Sequence, residues 1–135
     1  MARSNGSRPR LLILDSARSR KLFETVLGDS YELLYAIEGG EALQLISEKN
    51  PELILLNHTV SSTDGIAIAK EIREGGASHA PILLLINEDR PTLKKQAESI
   101  GCNGFITKPI DPKKLKEKVE GILNSRNGAT AGSAE

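Results

Sequence analysis

Four polar residues stand directly behind short apolar runs, and they are the residues best placed to do chemistry. Asp15 follows LLIL, Asn57 follows LILL, Asn87 follows ILLLI and Lys108 follows GFIT. A residue ending a buried strand is delivered to the rim of a sheet, where a ligand can reach it. The set holds one carboxylate, two amides and one ammonium, which is poor material for catalysis. A carboxamide nitrogen shares its lone pair with its carbonyl, so an asparagine is neither anionic nor a useful nucleophile. No paired general acid and base, activated nucleophile or dense ligand cluster accompanies these residues, so an enzyme is not expected. His58 and His79 stand among scattered carboxylates and read as solvated loop residues, not metal ligands. What remains is a neutral polar network, with Lys108 pairing with Asp15 or hydrogen-bonding the Asn57 carbonyl.

The elements that position these residues are legible in the apolar runs. LLIL, LILL and ILLLI lack polar alternation, as strands buried on both faces of a helix-covered parallel sheet do. YELLYAI (31–37) and GFIT (104–107) are weaker runs that bring the strands to five. Helical spacing fills the gaps. Leu22, Phe23, Val26 and Leu27 form one helix, closed by Gly28; Ala42, Leu43 and Ile46 form a second, closed by Asn50 and Pro51. Ile68, Ala69 and Ile72 mark a third, before Gly75 and Gly76. Pro91 opens a fourth, with Leu93, Ala97 and Ile100 on a narrow inner face. Asp111 and Pro112 cap and open a fifth, whose inner face is Leu115, Val119, Ile122 and Leu123. The order predicts an α/β fold of five βα units with helices on both faces of an open parallel sheet. In the flavodoxin-like (βα)5 arrangement the strand order is 2-1-3-4-5, and the switch point lies between strands one and three. Asp15, Ser16, Asn57, Ile86, Asn87 and Lys108 meet there.

The 135 residues suit one domain, read as residues 9–125 between flexible tails at 1–8 and 126–135. Eighteen basic residues balance eighteen acidic ones, which argues against direct nucleic-acid binding, and the 3% aromatic content argues against base stacking or a flavin pocket. The loop after the first strand, DSARSRK, lacks the glycine that a phosphate-cradling loop would carry. One cysteine, Cys102, forms no internal disulfide and reads as a packing residue. No run is long enough for a membrane span or signal peptide, so a cytoplasmic protein, monomeric or weakly dimeric, is expected.

Several pieces in order give the chain a specific resemblance. LLILD ends the first strand, EGGEAL spans 38–43, and PELILL leads into the third strand. Asp64-Gly65, API (80–82), the GCNGF turn (101–105) and Lys108-Pro109 follow. Together they resemble the receiver domain of two-component response regulators, from Arg10 to about Asn124. That family places two acidic residues after strand one, a phosphoacceptor aspartate after strand three, a hydroxyl after strand four, an aromatic in strand five and a lysine before proline. The resemblance implies a magnesium ion held by the carboxylates, and an aspartyl nucleophile whose phosphoryl group meets the lysine and the hydroxyl.

This sequence departs from the pattern at most of those places. Ser16 stands where the second acidic ligand belongs, leaving Asp15 as the residual metal ligand. Asn57 stands at the phosphoacceptor position, Ile86 replaces the hydroxyl, and Phe105 keeps the aromatic ring without its own hydroxyl. The pocket formed by Asp15, Ser16, Ile86, Asn87, Phe105 and Lys108 therefore reads as degenerate, with no cofactor and weak or absent magnesium binding. The expected function is a phosphorylation-independent pseudo-receiver acting as a protein-protein interaction module in bacterial-type signal transduction, in one dominant conformation. The alternative is a conventional phosphorelay receiver in which Asn57 is an engineered replacement of aspartate. The expected partner is a histidine kinase, a phosphotransfer protein or another domain of the same system. The candidate partner face comprises Arg18 and Lys21 on the first helix, Lys94 and Lys95 on the fourth, Phe105, and Lys113 and Lys116 on the fifth.

Overall fold

The computed structural model describes residues 8–60, 63–87 and 90–127. Five parallel strands, β1 (Arg10–Leu14), β2 (Glu32–Ala36), β3 (Leu53–Asn57), β4 (Ile82–Ile86) and β5 (Gly104–Thr107), form one sheet in the order β2-β1-β3-β4-β5. Between and after them run α1 (Arg20–Leu27), α2 (Gly39–Lys49), α3 (Gly65–Glu74), α4 (Pro91–Ser99) and α5 (Pro112–Asn127). This is the expected flavodoxin-like (βα)5 architecture. Two short elements have no clear sequence signal. One is a 3-10 turn at Ala17–Ser19; the other is an antiparallel pairing of Thr59–Val60 with Thr63–Asp64.

The uniform apolarity of the strands follows from burial on both faces. Leu11, Ile13, Leu53, Leu55, Leu83 and Leu85 pack beneath α1 and α5, against Phe23, Leu27, Leu115 and Val119. Their neighbours Leu12, Leu14, Ile54, Leu56, Leu84 and Ile86 pack on the other face beneath α2, α3 and α4. Each such side chain contributes roughly 1.5–3 kcal/mol by leaving water. The two weaker strand signals belong to the two edge strands. In β2, Glu32 to Tyr35 are only partly buried, and in β5 Thr107 is exposed, so the code for full burial is diluted there.

Helix ends use the residues the sequence marks, with one difference in mechanism. Asp111 Oδ1 accepts the Lys113 backbone N–H at 2.9 Å, and Asp64 Oδ1 accepts that of Ile66 at 2.9 Å. Asn50 closes α2 in the left-handed region at φ 51°. Gly28 does stand at the end of α1, but its φ of −63° is right-handed, so it does not turn the chain as a left-handed cap. Its lack of a side chain instead makes room for the Glu24 carbonyl, which a Cβ would crowd. Of the expected flexible tails, nearly all lies outside the described residues. Arg8 Nη1 donates to the Gly28 carbonyl at 2.6 Å, and α5 continues through Asn127, past the expected boundary at 125.

Candidate functional site

β1 and β3 are neighbours, and their last turns deliver Asp15 and Asn57 side by side. Both are buried, at 3% and 6% exposure, among a core that is chiefly apolar. Buried polar groups must find partners or lose stability, and here they find each other. Asn57 Nδ2 donates to Asp15 Oδ1 at 2.7 Å. Lys108, one residue past the last pair of β4 with β5 (Ile86 with Thr107), reaches back to the same carboxylate. Its Nζ lies 2.9 Å from Oδ2 and 3.2 Å from Oδ1. The Ser16 backbone N–H adds a further bond to Oδ1 at 2.7 Å. Of the two arrangements expected for Lys108, the ion pair with Asp15 is the one formed.

The site is therefore neutral and closed upon itself. One negative and one positive charge cancel, and both oxygens of the carboxylate already accept hydrogen bonds. A dication prefers several oxygen ligands, carboxylates above all. The residues present do not fit one: Ser16 is exposed and supplies no second carboxylate, and Lys108 holds the oxygens a metal would need. Among the described residues no group of three or more His, Cys, Asp and Glu side chains gathers around a metal-sized space.

The asparagine is held from behind by its own main chain. A Cβ on Gly65 would collide with the Asn57 carbonyl oxygen, and the Gly65 N–H donates to the His58 carbonyl at 2.8 Å. Only glycine lets α3 start so close to the end of β3. The His58 N–H donates across to the Leu85 carbonyl at 2.7 Å, extending the ladder one residue beyond Asn57. Gly65 is thus a site residue recognised in the sequence only as half of the Asp64-Gly65 pair.

The remaining predicted residues are dispersed. Ile86, the last residue of β4, has no exposed surface and joins the core beneath α4 with Leu93 and Ala97. Asn87, one residue on, is exposed. Phe105 is half-buried against the same core, with Lys94 Nζ 5.7 Å above its ring centroid. Arg18 lies on the 3-10 turn that precedes α1, and Lys21 on α1 itself; both are exposed. Arg20, between them, turns onto the Tyr35 ring at 4.9 Å. Burial and the hydrogen bond to Glu24 push the Tyr35 phenol well above its usual range. Lys95, Lys113 and Lys116 are exposed. The predicted partner face therefore spans both sides of the sheet, since α4 covers one face and α1 and α5 the other.

Two features away from the polar site also escape the sequence pattern. Arg73, at the end of α3, donates to the carbonyls of Ser78, Ala80 and Gly101 and to Asn103 Oδ1, at 2.8–3.2 Å. It ties the starts of β4 and β5 together at the opposite edge of the sheet. Beside it, burial pushes the Cys102 thiol up to about 11 despite the nearby guanidinium. The second feature is a cleft between β5 and α5, bordered by Lys114 and Lys118, neither of them in the predicted face.

Comparison with known proteins agrees with this fold. The family model of the response regulator receiver domain matches residues 11–120. The transcriptional regulatory protein SrrA of Staphylococcus aureus is 29% identical over 126 residues, covering 93% of this chain and 52% of SrrA. This chain spans about half the length of the curated relatives it matches. Among solved structures, a response regulator from Chloroflexus aurantiacus is 30% identical with a TM-score of 0.78, covering 87% of this chain and 98% of that one. The chemotaxis protein CheY4 of Vibrio cholerae is 26% identical with a TM-score of 0.81, covering 87% and 100%.

Proposed function

The chain belongs to the response regulator receiver domain family, and from that premise we propose that it is a pseudo-receiver, which signals by binding another protein and not by accepting a phosphoryl group. The observation that carries this reading is the shared carboxylate. Asp15 accepts both the Asn57 amide and the Lys108 ammonium, at 2.7 and 2.9 Å, so the place of a metal and a phosphoryl group is filled by the protein's own side chains.

Each step of phosphoryl transfer lacks its group. The carboxamide of Asn57 offers no nucleophilic oxygen anion. With Ser16 beside it, Asp15 is the one carboxylate of the pocket, so magnesium binds weakly or not at all and no cofactor is required. Ile86 cannot donate a hydrogen bond to a phosphoryl oxygen, and its burial anchors β4 to the core in one conformation. What remains intact is the scaffold and its surface. Exposed Arg18 and Lys21 with α5 on one side, and Lys94, Lys95 and Phe105 on the other, supply the contacts to a histidine kinase, a phosphotransfer protein or another domain of the same system. The domain acts in the cytoplasm, without catalysis and without direct contact to nucleic acid; no helix among the described residues is long and apolar enough to cross a membrane.

Retention of Asp15 and Lys108 in register favours a second reading, a conventional receiver in which Asn57 replaces aspartate. Incubation with a small phosphodonor and magnesium, followed by intact mass measurement, separates the two. The pseudo-receiver gains no phosphoryl mass, and the Asn57→Asp variant gains none either, because Ser16 and Ile86 remain. Stable phosphorylation of the unmodified chain refutes the first reading, and efficient phosphorylation of Asn57→Asp favours the second.

A further inference from the structure

β2 stands at one end of the sheet and pairs on one side only, with β1. The Glu32 N–H donates to the Pro9 carbonyl at 2.8 Å, and the Ala36 carbonyl accepts from the Asp15 N–H at 3.1 Å. Glu32, Leu34 and Ala36 therefore turn their main-chain groups toward β1, and Leu33 and Tyr35 turn theirs outward. Among the described residues nothing bonds those outward groups. The open row is bounded at both ends. The Tyr31 N–H donates to the Leu27 carbonyl at 3.0 Å, and the Ile37 N–H to Glu41 Oε1 at 3.1 Å. Edge strands are usually protected by lysine, proline or a bulge. β2 has none of these: its register with β1 is unbroken, and its charged residue, Glu32, is tied to Arg10 at 3.3 Å. Just past its end stands Ile37, 43% exposed, the exposed large hydrophobic of the described residues.

The segment is complementary to itself. Tyr31, Leu33 and Tyr35 face the layer of α1, and Leu34 and Ala36 face the layer of α2. Turned end for end about Leu34, the strand sets Tyr31 opposite Ile37 and Leu33 opposite Tyr35, aromatic against branched aliphatic, a favourable cross-strand pairing. On the other face Leu34 meets its own copy. In this register Leu33 and Tyr35 exchange both main-chain bonds, so every outward N–H and C=O of the two strands finds a partner. A shift by one residue puts opposite faces together, and a shift by two leaves outward groups unpaired. The flanking charges agree. The start of α1 is basic, with Arg18, Arg20 and Lys21; its end is acidic, with Glu24 and Asp29, all of them exposed. Arg8, held on the Gly28 carbonyl, offsets one of those acidic charges. The same turn sets two α1 helices antiparallel on one side of the sheet, the basic start of each toward the acidic end of the other.

We propose that the free edge of β2 pairs with the β2 edge of a second copy of this chain, antiparallel about a two-fold axis at Leu34, joining the two sheets into one. Such an interface is isologous and closes on itself, so association stops at the dimer. It covers Ile37 and the outward groups of Leu33 and Tyr35, and leaves α4, β5 and α5 uncovered. Phosphoryl chemistry takes no part in it. One short strand and the flanks of two helices make a small interface, so the dimer is weak, with a Kd of about 0.1–1 mM.

The test combines a dilution series with site-directed cross-linking, without magnesium or phosphodonor. In NMR spectra of the labelled chain between about 0.05 and 2 mM, the amides of 31–37 and of α1 shift with concentration, and sedimentation gives a monomer–dimer equilibrium in the same range. Ile37→Lys, at an exposed position that leaves the fold intact, weakens the dimer at least about fivefold. For cross-linking, Cys102 is first replaced by alanine. Directly opposed residues of a non-hydrogen-bonded antiparallel pair have Cα atoms about 4.5 Å apart, within the range of a disulfide. Mild oxidation therefore links Leu34→Cys to its own copy. Glu32→Cys lies about 14 Å from its copy, four residues along the strand, and links at least about tenfold less. A monomer at 2 mM, or shifts at 104–107 and α4 in place of 31–37, would overturn the proposal. So would undiminished association of Ile37→Lys, or equal cross-linking at the two cysteine positions. Intact mass under non-reducing conditions reads the cross-link, and the spectrum of each variant checks its fold.

Discussion

Replacing Asn57 by aspartate tests the electrostatic account of the pocket directly. The Asn57 amide nitrogen lies 2.7 Å from Asp15 Oδ1. In the Asn57→Asp variant an oxygen of the new carboxylate takes that place, and a donor becomes a second negative charge. At an effective dielectric of 20, two unit charges at such a separation repel by about 6 kcal/mol. Rotation of the new side chain and sharing of the Lys108 ammonium reduce this, leaving a net loss of about 2–3 kcal/mol at neutral pH. For a domain of this size that lowers Tm by about 8–12 °C. The loss shrinks as pH falls. A carboxyl whose folded pKa is raised penalises the fold above that value, and the penalty disappears as protonation proceeds toward the unfolded pKa near 4. A dication between the two carboxylates acts in the same direction: at 10 mM magnesium and a Kd of about 1 mM the variant regains about 1.4 kcal/mol, or about 5 °C. Thermal melts of both proteins with and without magnesium, at matched ionic strength and at pH 5 and 7.5, measure all of this. Equal melting temperatures in the absence of metal, or magnesium stabilising the unmodified chain as much as the variant, would refute the neutral-pocket account.

Other consequences are equally accessible. Lys108→Met strands the buried Asp15 carboxylate with only the Asn57 amide and the Ser16 N–H; because the lysine side chain is 23% exposed, water offsets part of the cost. Urea unfolding should show a loss of about 1–3 kcal/mol, largely abolished in the D15N/K108M double variant. Gly65→Ala drives a methyl group into the Asn57 carbonyl oxygen and should cost about 1–3 kcal/mol, with amide shifts centred on residues 57–59. The Cys102 thiol, raised to about 11, should react with a disulfide reagent at pH 8 at least about tenfold more slowly than the same thiol in urea. Raising pH through 9 to 11 should weaken the fold, because the unfolded thiol ionises first. Fast labelling in the native state would contradict that burial.

How much of this was legible in the sequence depended on the range of the interaction that decided each feature. Strands β1, β3 and β4 show as apolar runs because burial on both faces is a local demand repeated at every residue. β2 and β5 show faintly because an edge position removes half of that demand, and Tyr35 and Phe105 serve packing and surface at once. The meeting of Asp15, Asn57 and Lys108 follows from strand order and needs no side-chain detail. The choice of Lys108 for Asp15 over the Asn57 carbonyl does need it, and both stood open. Gly28 marks its helix end correctly for a different reason, since a close carbonyl and a left-handed turn both select glycine. The role of Gly65 against Asn57, the Arg73 clasp and the lysines bordering the β5 groove depend on contacts between distant segments. On α5, charge alone does not distinguish Lys113 and Lys116 from Lys114 and Lys118; only the angular position relative to β5 does.

Ile86 joins the rim of the pocket to the surface beyond α4, and so ties together the two halves of the proposed pseudo-receiver. A hydroxyl at the end of β4 would be polar, small and free to turn toward the rim. Isoleucine there is wholly buried and packs with Leu93 and Ala97 of α4, in the same layer that Phe105 borders. The rim thereby loses a donor, while α4 gains an apolar anchor directly beneath the face that carries Lys94 and Lys95. A branched side chain filling a close-packed core has few alternative positions. Ile86→Thr should therefore do more than add a hydroxyl: it exchanges an ethyl group of the core for a polar group without a phosphoryl partner. The expected result is a loss of about 1–3 kcal/mol together with faster amide exchange in α4 and β5. If α4 and β5 kept their protection while stability fell, the anchor would lie elsewhere, and the surface would be independent of the pocket.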